Sequence, residues 1–291
     1  MKKNLRILSK HNLLFYFIVI LIFLLFFIFS KTIFFNPIGY IGDYQKKIIV
    51  LVSFLVIPII LITTFLSLKF FFRHKKNKKL YDPNFTESSK IEKFIWFSVS
   101  LIVFFISIIS WKSTHLLDPR INIKKINNVV YNNQMKVEVI SLDWKWLFIY
   151  PKYGIATINE LVVPVNTPIE FNITSSSVMN SFFIPGVGSQ MYAMSGMNSK
   201  LNLIFNNIGQ YKGFSSNFSG DGFSDMKFKV IVKENCYNFK KWIKNVKNKG
   251  SFLSLEKYLK IENPSNSNVE YFSFVKKDLF NIVLTKFKKI I

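Results

Sequence analysis

Three stretches of this chain run for a helix length without a charged residue: Leu13–Ser30, Ile48–Leu68 and Phe94–Trp111. A bilayer-crossing helix needs about 20 mostly apolar residues, and each stretch is near that length. Pro58 interrupts the second, which a membrane helix tolerates where neighbours re-satisfy the freed carbonyl. Trp111 and Lys112 close the third at an interface-like position. The first follows Lys2, Lys3, Arg6 and Lys10, as a signal peptide would. A secretory core is shorter and ends on small residues, whereas Phe26, Phe27, Ile28 and Phe29 sit here. The pattern therefore predicts an uncleaved helix.

Beyond Asp118 the pattern shortens to alternation. Met135–Ser141 (MKVEVIS) alternates apolar and polar positions, and Asp143–Pro151 (DWKWLFIYP) is strand-like and aromatic. Asn159–Ser175 holds two strands about a PVNTP turn, with further strands at Ser199–Phe205 and Met226–Val232. Short strands with turn signals at this spacing predict a β-sandwich or barrel. In Phe239–Lys260, Trp242, Ile243 and Val246 have helical spacing. NPSNSN then breaks the pattern, and Val269–Phe287 reads as an aromatic turn followed by a short amphipathic helix. The predicted division is 1–35, an N-terminal apolar segment; 36–117, a transmembrane hairpin with a basic loop; 118–234, the β-domain; and 235–291, an aromatic-rich extension.

Composition sharpens this picture. Hydrophobic residues make up 50% and aromatics 17% of 291 residues, too apolar for an ordinary soluble chain. The formal charge of +23 invites a nucleic-acid reading. The cations are scattered, however, and many flank apolar runs, so no nucleic-acid partner is expected. Lys69, Arg73, His74, Lys75, Lys76, Lys78 and Lys79 lie between the second and third apolar stretches. By the positive-inside rule that loop and the N-terminus are cytoplasmic, which places everything after Trp111 outside, in a bacterium the periplasm. Membrane lipid is thus one expected partner. The N-x-S/T triplets at Asn84, Asn172 and Asn217 are chance matches in a bacterial chain.

The candidate chemistry is thin. Cys236 is the sole cysteine, so no disulfide framework is possible, and His11, His74 and His115 all precede the β-domain. Tyr211–Val230 (YKGFSSNFSGDGFSDMKFKV) reads as strand, Ser/Gly loop, strand. Such a loop can cradle a phosphate, a metal or a partner.

The motifs SLDWKWLFIYP, NTPIEFNITSSSVMNSFFIPGVGSQMYAMSGM, GFSDMKFKV and VEYFSFVKKDLF, following two apolar helices with a basic loop, carry a resemblance. Over roughly Asn36–Phe287 the chain resembles subunit II of the haem–copper terminal oxidases, in the quinol oxidase branch of the cytochrome bo type ubiquinol oxidases. The resemblance implies a cupredoxin fold for the outer domain. In the cytochrome c oxidase relatives that domain holds a two-copper centre, with ligands in the order His, then Cys-x3-Cys-x3-His-x2-Met. Matched position by position, the upstream His is Asn180, the two Cys are Ser215 and Ser219, the second His is Phe223, the Met is Met226, and the carbonyl donor is Asn217. Soft sulfur and imidazole ligands are what copper requires, and four of the five side-chain positions have lost them. No catalytic residue and no metal or other cofactor is expected in this chain. Cys236 falls outside the family's site and is expected to be a buried or idle thiol. Where the quinol oxidase subunits often carry a lipid-bearing cysteine, Ser30 stands; this supports the uncleaved reading with three spans.

By the same resemblance, the complex oxidises ubiquinol, reduces oxygen and pumps protons in the respiratory chain of the inner membrane. Haems, copper and ubiquinol are expected in partner subunit I. This chain is expected to be structural, docking on and capping subunit I beside the other subunits, with Trp144, Trp146, Phe148 and Tyr150 as contact residues. Two rivals are a membrane-anchored periplasmic binding module and a copper-containing electron-entry subunit of a cytochrome c oxidase.

Overall fold

The computed structural model describes residues 35–76, 89–120, 125–126, 129–130 and 134–286. The first apolar stretch, with the fate of residues 1–30, lies outside them. The chain divides into two units: a helical one with Tyr44–Leu117, and a β unit of Pro37–Asp43 and Asp118 onward.

The helical unit consists of α1 (Tyr40–Lys76), apart from its first turn, and α2 (Ser89–Leu116). Their stretches Tyr40–Lys69 and Glu92–Leu116 are long and apolar enough to cross a membrane, and the most apolar part of each is exposed. Both helices exceed the uncharged runs because charged residues continue them at the ends. Pro58 lies inside α1 and cannot donate to the carbonyl one turn back. Three hydroxyls close on their own helix: Thr63 Oγ1 donates to Ile59 O (2.9 Å), Ser98 Oγ to Ile95 O (2.9 Å) and Ser107 Oγ to Val103 O (2.8 Å). Such bonds would satisfy a hydroxyl inside a bilayer, where no water is at hand.

The β unit contains a short ladder, β1 (Lys125–Ile126) with β2 (Val129–Val130), and a two-sheet sandwich. The strands in chain order are β3 (Met135–Leu142), β4 (Lys145–Tyr150), β5 (Ile155–Ile158), β6 (Glu160–Pro164), β7 (Ile169–Ser175), β8 (Asn180–Phe183), β9 (Met191–Ala193), β10 (Ser199–Leu203), β11 (Gly209–Ser215), β12 (Lys227–Lys233), β13 (Ser251–Leu253) and β14 (Glu270–Val275). One sheet has the order β10-β7-β3-β4-β5-β14-β13 and the other β6-β12-β11-β8-β9. Between them lies an aromatic core: Phe182 stacks on Phe228 (5.2 Å between centroids), and Trp146 meets both edge-on at 5.4 and 5.8 Å. Such pairs add about 0.5–1.5 kcal/mol each beyond area burial. Residues 37–43 join this unit through Ile38 N–H to Gly186 O (2.7 Å) and Gly42 N–H to Val187 O (3.1 Å). Gly42 permits the approach, since a Cβ there would lie 2.3 Å from Gly186 O.

The tail departs from its sequence reading. The helical spacing of Phe239–Lys260 covers two helices, α3 (Cys236–Lys249) and α4 (Leu255–Glu262), with β13 between. The break is at Gly250, where a Cβ would meet Ser273 N at 2.4 Å. The expected aromatic turn is strand β14, antiparallel to β5 and parallel to β13. The short helix expected after it is α5 (Leu279–Lys286). Together these elements cover the outer face of the larger sheet: Leu253, Tyr258, Phe272, Leu279, Phe280 and Val283 form one core with Ile140, Leu142, Leu147 and Ile149.

Candidate functional site

The six positions matched to copper ligands converge at one end of the sandwich. Asn180 opens β8, Ser215 ends β11, and Met226 immediately precedes β12. Ser215 Oγ lies 3.1 Å from Asn180 Oδ1 and 3.1 Å from Asn217 O, and accepts from Ser181 N–H at 3.3 Å. One hydroxyl proton is thus shared between two acceptors. Asn217 Nδ2 donates to Met179 O (3.1 Å), and Ser219 Oγ approaches Met226 Sδ at 3.9 Å. Asn180, Ser215 and Met226 are buried. Phe223 starts a 3-10 turn (Phe223–Asp225), and its ring meets the exposed Phe218 ring edge-on at 5.6 Å.

Trp144 holds this loop from the side. It occupies the β3–β4 turn at φ +67°, unusual for a bulky residue. Its Nε1 donates to Ser219 O at 3.3 Å. The indole lies so close to Gly222 that a Cβ there would fall 2.2 Å from Trp144 Cδ2, and Gly220 turns beside it at φ +105°. The glycines of SGDGFSD therefore make room for an indole.

Trp146, Phe148 and Tyr150 are fully buried. Tyr150 Oη donates to Val162 O (3.1 Å) and accepts from Val162 N–H (2.9 Å), and burial pushes its phenol well above the usual range. These three side chains are committed to the core, which corrects their expected role as a contact surface; only Trp144 of the four is partly exposed. Sequence reasoning also missed Lys145 and Asn159. Lys145 is buried, donates to Asn263 O (3.0 Å) and to Ser265 Oγ, and is pulled below the ordinary lysine range by burial against the opposing pull of Glu270 and Asp143. Asn159, at φ +55°, accepts from Trp146 N–H (2.9 Å) and donates to Ser267 O (2.7 Å). Both clamp the NPSNSN segment to the sandwich. Cys236 is exposed at the start of α3, not buried.

The fold's two-copper centre does not fit these residues. Ser215 and Ser219 offer neutral hydroxyls engaged with other atoms, Asn180 an amide already accepting, and Phe223 a hydrocarbon ring; Met226 alone is a soft donor. Among the described residues no group of three or more His, Cys, Asp or Glu is placed to hold a metal. What the arrangement does is close the end of the sandwich with a hydrogen-bonded knot. Val178, Met179 and Phe218 stand exposed around it.

Residues 148–234 match the family model of the cytochrome c oxidase subunit II periplasmic domain, and residues 247–289 match that of the COX aromatic rich motif. Cytochrome bo(3) ubiquinol oxidase subunit 2 of Buchnera aphidicola subsp. Baizongia pistaciae is 48% identical over 261 residues, covering 87% of this chain and 88% of the relative. Ubiquinol oxidase subunit 2 of Acetobacter aceti is 43% identical over 256 residues, covering 87% and 81%. Among solved structures, the periplasmic domain of subunit II of cytochrome oxidase from Bradyrhizobium japonicum aligns with 40% of this chain and 94% of its own, at 24% identity and a TM-score of 0.38.

Proposed function

The chain belongs to the cytochrome bo(3) ubiquinol oxidase subunit 2 family, and from that premise we propose that it serves its complex as a scaffold and cap, with no electron-entry centre of its own. It is a subunit of a ubiquinol oxidase, anchored by apolar helices and carrying a cupredoxin-like domain. The observation that carries the structural role is the Ser215–Asn180–Asn217 knot with its Ser219–Met226 neighbour. Positions that would need thiolates and imidazoles to relay electrons instead spend their polar atoms on one another. Electrons from a membrane quinol need no relay outside the membrane. In this reading haems, copper and ubiquinol reside in subunit I, and the domain lies on the periplasmic side of the inner membrane. The exposed Val178, Met179 and Phe218, beside Trp144, form the face that caps the neighbouring subunit.

The test is affinity purification of a tagged chain from solubilised membranes. The expected result is a haem-bearing partner with quinol oxidase activity, and none of the visible absorption of a two-copper centre. That absorption, with two coppers per chain beyond those of the partner, would overturn the scaffold reading; recovery of the chain without any haem protein would overturn the partnership.

A further inference from the structure

The outer face of the larger sheet carries a polar group that the hydrophobic layer above it leaves in place. Glu138 on β3 points to the same face as Ile140 and Leu142, by strand alternation from the core-facing Val137 and Val139. Its direct neighbours in register are Asn172 on β7 and Ile149 on β4. Ile140 and Ile149 belong to the core covered by Leu279, Phe280 and Val283 of α5. Asp278, at φ +59°, immediately precedes that helix, and its carbonyl accepts Ile282 N–H at 2.9 Å. Asn172 Oδ1 is buried and has no hydrogen-bond partner among the described residues. A buried acceptor left unsatisfied costs about 1–3 kcal/mol, so a donor is to be expected beside it.

We propose that Glu138 carries a proton which it donates to Asn172 Oδ1, and that this neutral carboxyl, on the sheet face that α5 helps to cover, fastens the start of α5 to the sheet. The ionised form has no use for the orphan acceptor and faces a second negative charge. The protonated form satisfies the acceptor and removes the repulsion. Burial first, and then Asp278, push the Glu138 carboxyl up to about 7 from 4.5, with Lys136 pulling the other way. Other charged groups on this face are Glu170, next to Asn172 along β7 and opposite Lys136 in register; Lys200, opposite Asn172 on β10; Lys276 and Lys277 before Asp278; and, farther along the sheet, Lys145 on β4 with Glu270 on β14. Ile149, the direct neighbour on β4, brings no charge.

The sign follows from proton counting. The docked state binds the proton more tightly than a state in which α5 has lifted and Glu138 is hydrated. Docking is therefore strongest below about pH 4.5, weakens as pH rises toward 7, and is level above about 8. A single group with these two affinities changes the opening equilibrium up to about tenfold between pH 6 and pH 8.

The experiment is hydrogen–deuterium exchange on the full-length chain in detergent, following the amides of 279–286 and correcting for the chemical exchange rate. Wild type should lose protection by up to about tenfold from pH 6 to pH 8. Glu138→Gln, which donates to Asn172 Oδ1 at every pH, should stay protected across the range. Asp278→Asn should keep the loss but move its midpoint to lower pH. Protection in wild type that does not change between pH 6 and pH 8 would overturn the proposal, as would a Glu138→Gln slope equal to wild type. Should Glu138→Gln fail to fold, an unmoved midpoint in Asp278→Asn overturns it equally.

Discussion

At the scale of single residues, the positions matched to copper ligands could be picked out because their spacing is a motif. Asn180, Ser215, Asn217, Ser219, Phe223 and Met226 do meet at one end of the sandwich. Their new partnerships were not legible, since hydrogen bonds between neutral side chains 35 residues apart leave no pattern in the chain. Ser215→Ala should cost about 1–2 kcal/mol, because it strands Ser181 N–H and Asn180 Oδ1 in a buried place; urea denaturation of the purified chain reads this as a lower midpoint. Trp144 was legible as an aromatic residue but not as one at positive φ lying over glycines. Gly222→Ala places a methyl into its ring, and an overpacked contact of that kind costs about 1–3 kcal/mol. Trp fluorescence should shift with it, because the indole must move off Ser219 O.

At the scale of elements, the sandwich strands could be read where one face meets the core and the other meets solvent. The start of β3 does so; its end and all of β4 do not, because both their faces are covered. Trp146, Phe148 and Tyr150 point into the sandwich, while Leu147 and Ile149 point into the layer formed by the tail. A doubly buried strand looks uniformly apolar, so its aromatic residues invite a contact role that packing has already taken. The tail misled for a related reason. Its strands are only three and six residues long, too short for periodicity to register, and β14 alternates aromatic residues that resemble a turn cluster. Gly250 is where the two readings separate. Gly250→Val forces a branched side chain onto Ser273 N and the Phe272 backbone, which cannot yield as a side chain could. The expected outcome is separation of β13 from β14 and a loss of about 2–4 kcal/mol, in the range of severe core changes. Limited proteolysis should show it as new cleavage between 250 and 277, with the sandwich strands still resistant.

At the scale of the whole molecule, the change from uncharged helices to alternating strands was the plainest signal in the chain, since membrane and sheet impose different periods and lengths. Orientation rests on a different physical quantity, the basic residues between the two apolar helices, and it can be tested directly. Cys236 is the sole cysteine and is exposed on the β unit. A membrane-impermeant maleimide added to intact spheroplasts should label it without permeabilisation, and Cys236→Ser should abolish the label. Moving the thiol to the basic loop, as Asn84→Cys in the Cys236→Ser background, should reverse the result, with labelling only after the membrane is opened. The pair of variants separates two causes of silence. A Cys236 shielded by a neighbouring subunit stays unlabelled until the complex is denatured, while the loop cysteine still demands permeabilisation. An inverted chain gives labelling of the loop cysteine in intact spheroplasts, and that result would sink the orientation drawn from the charges.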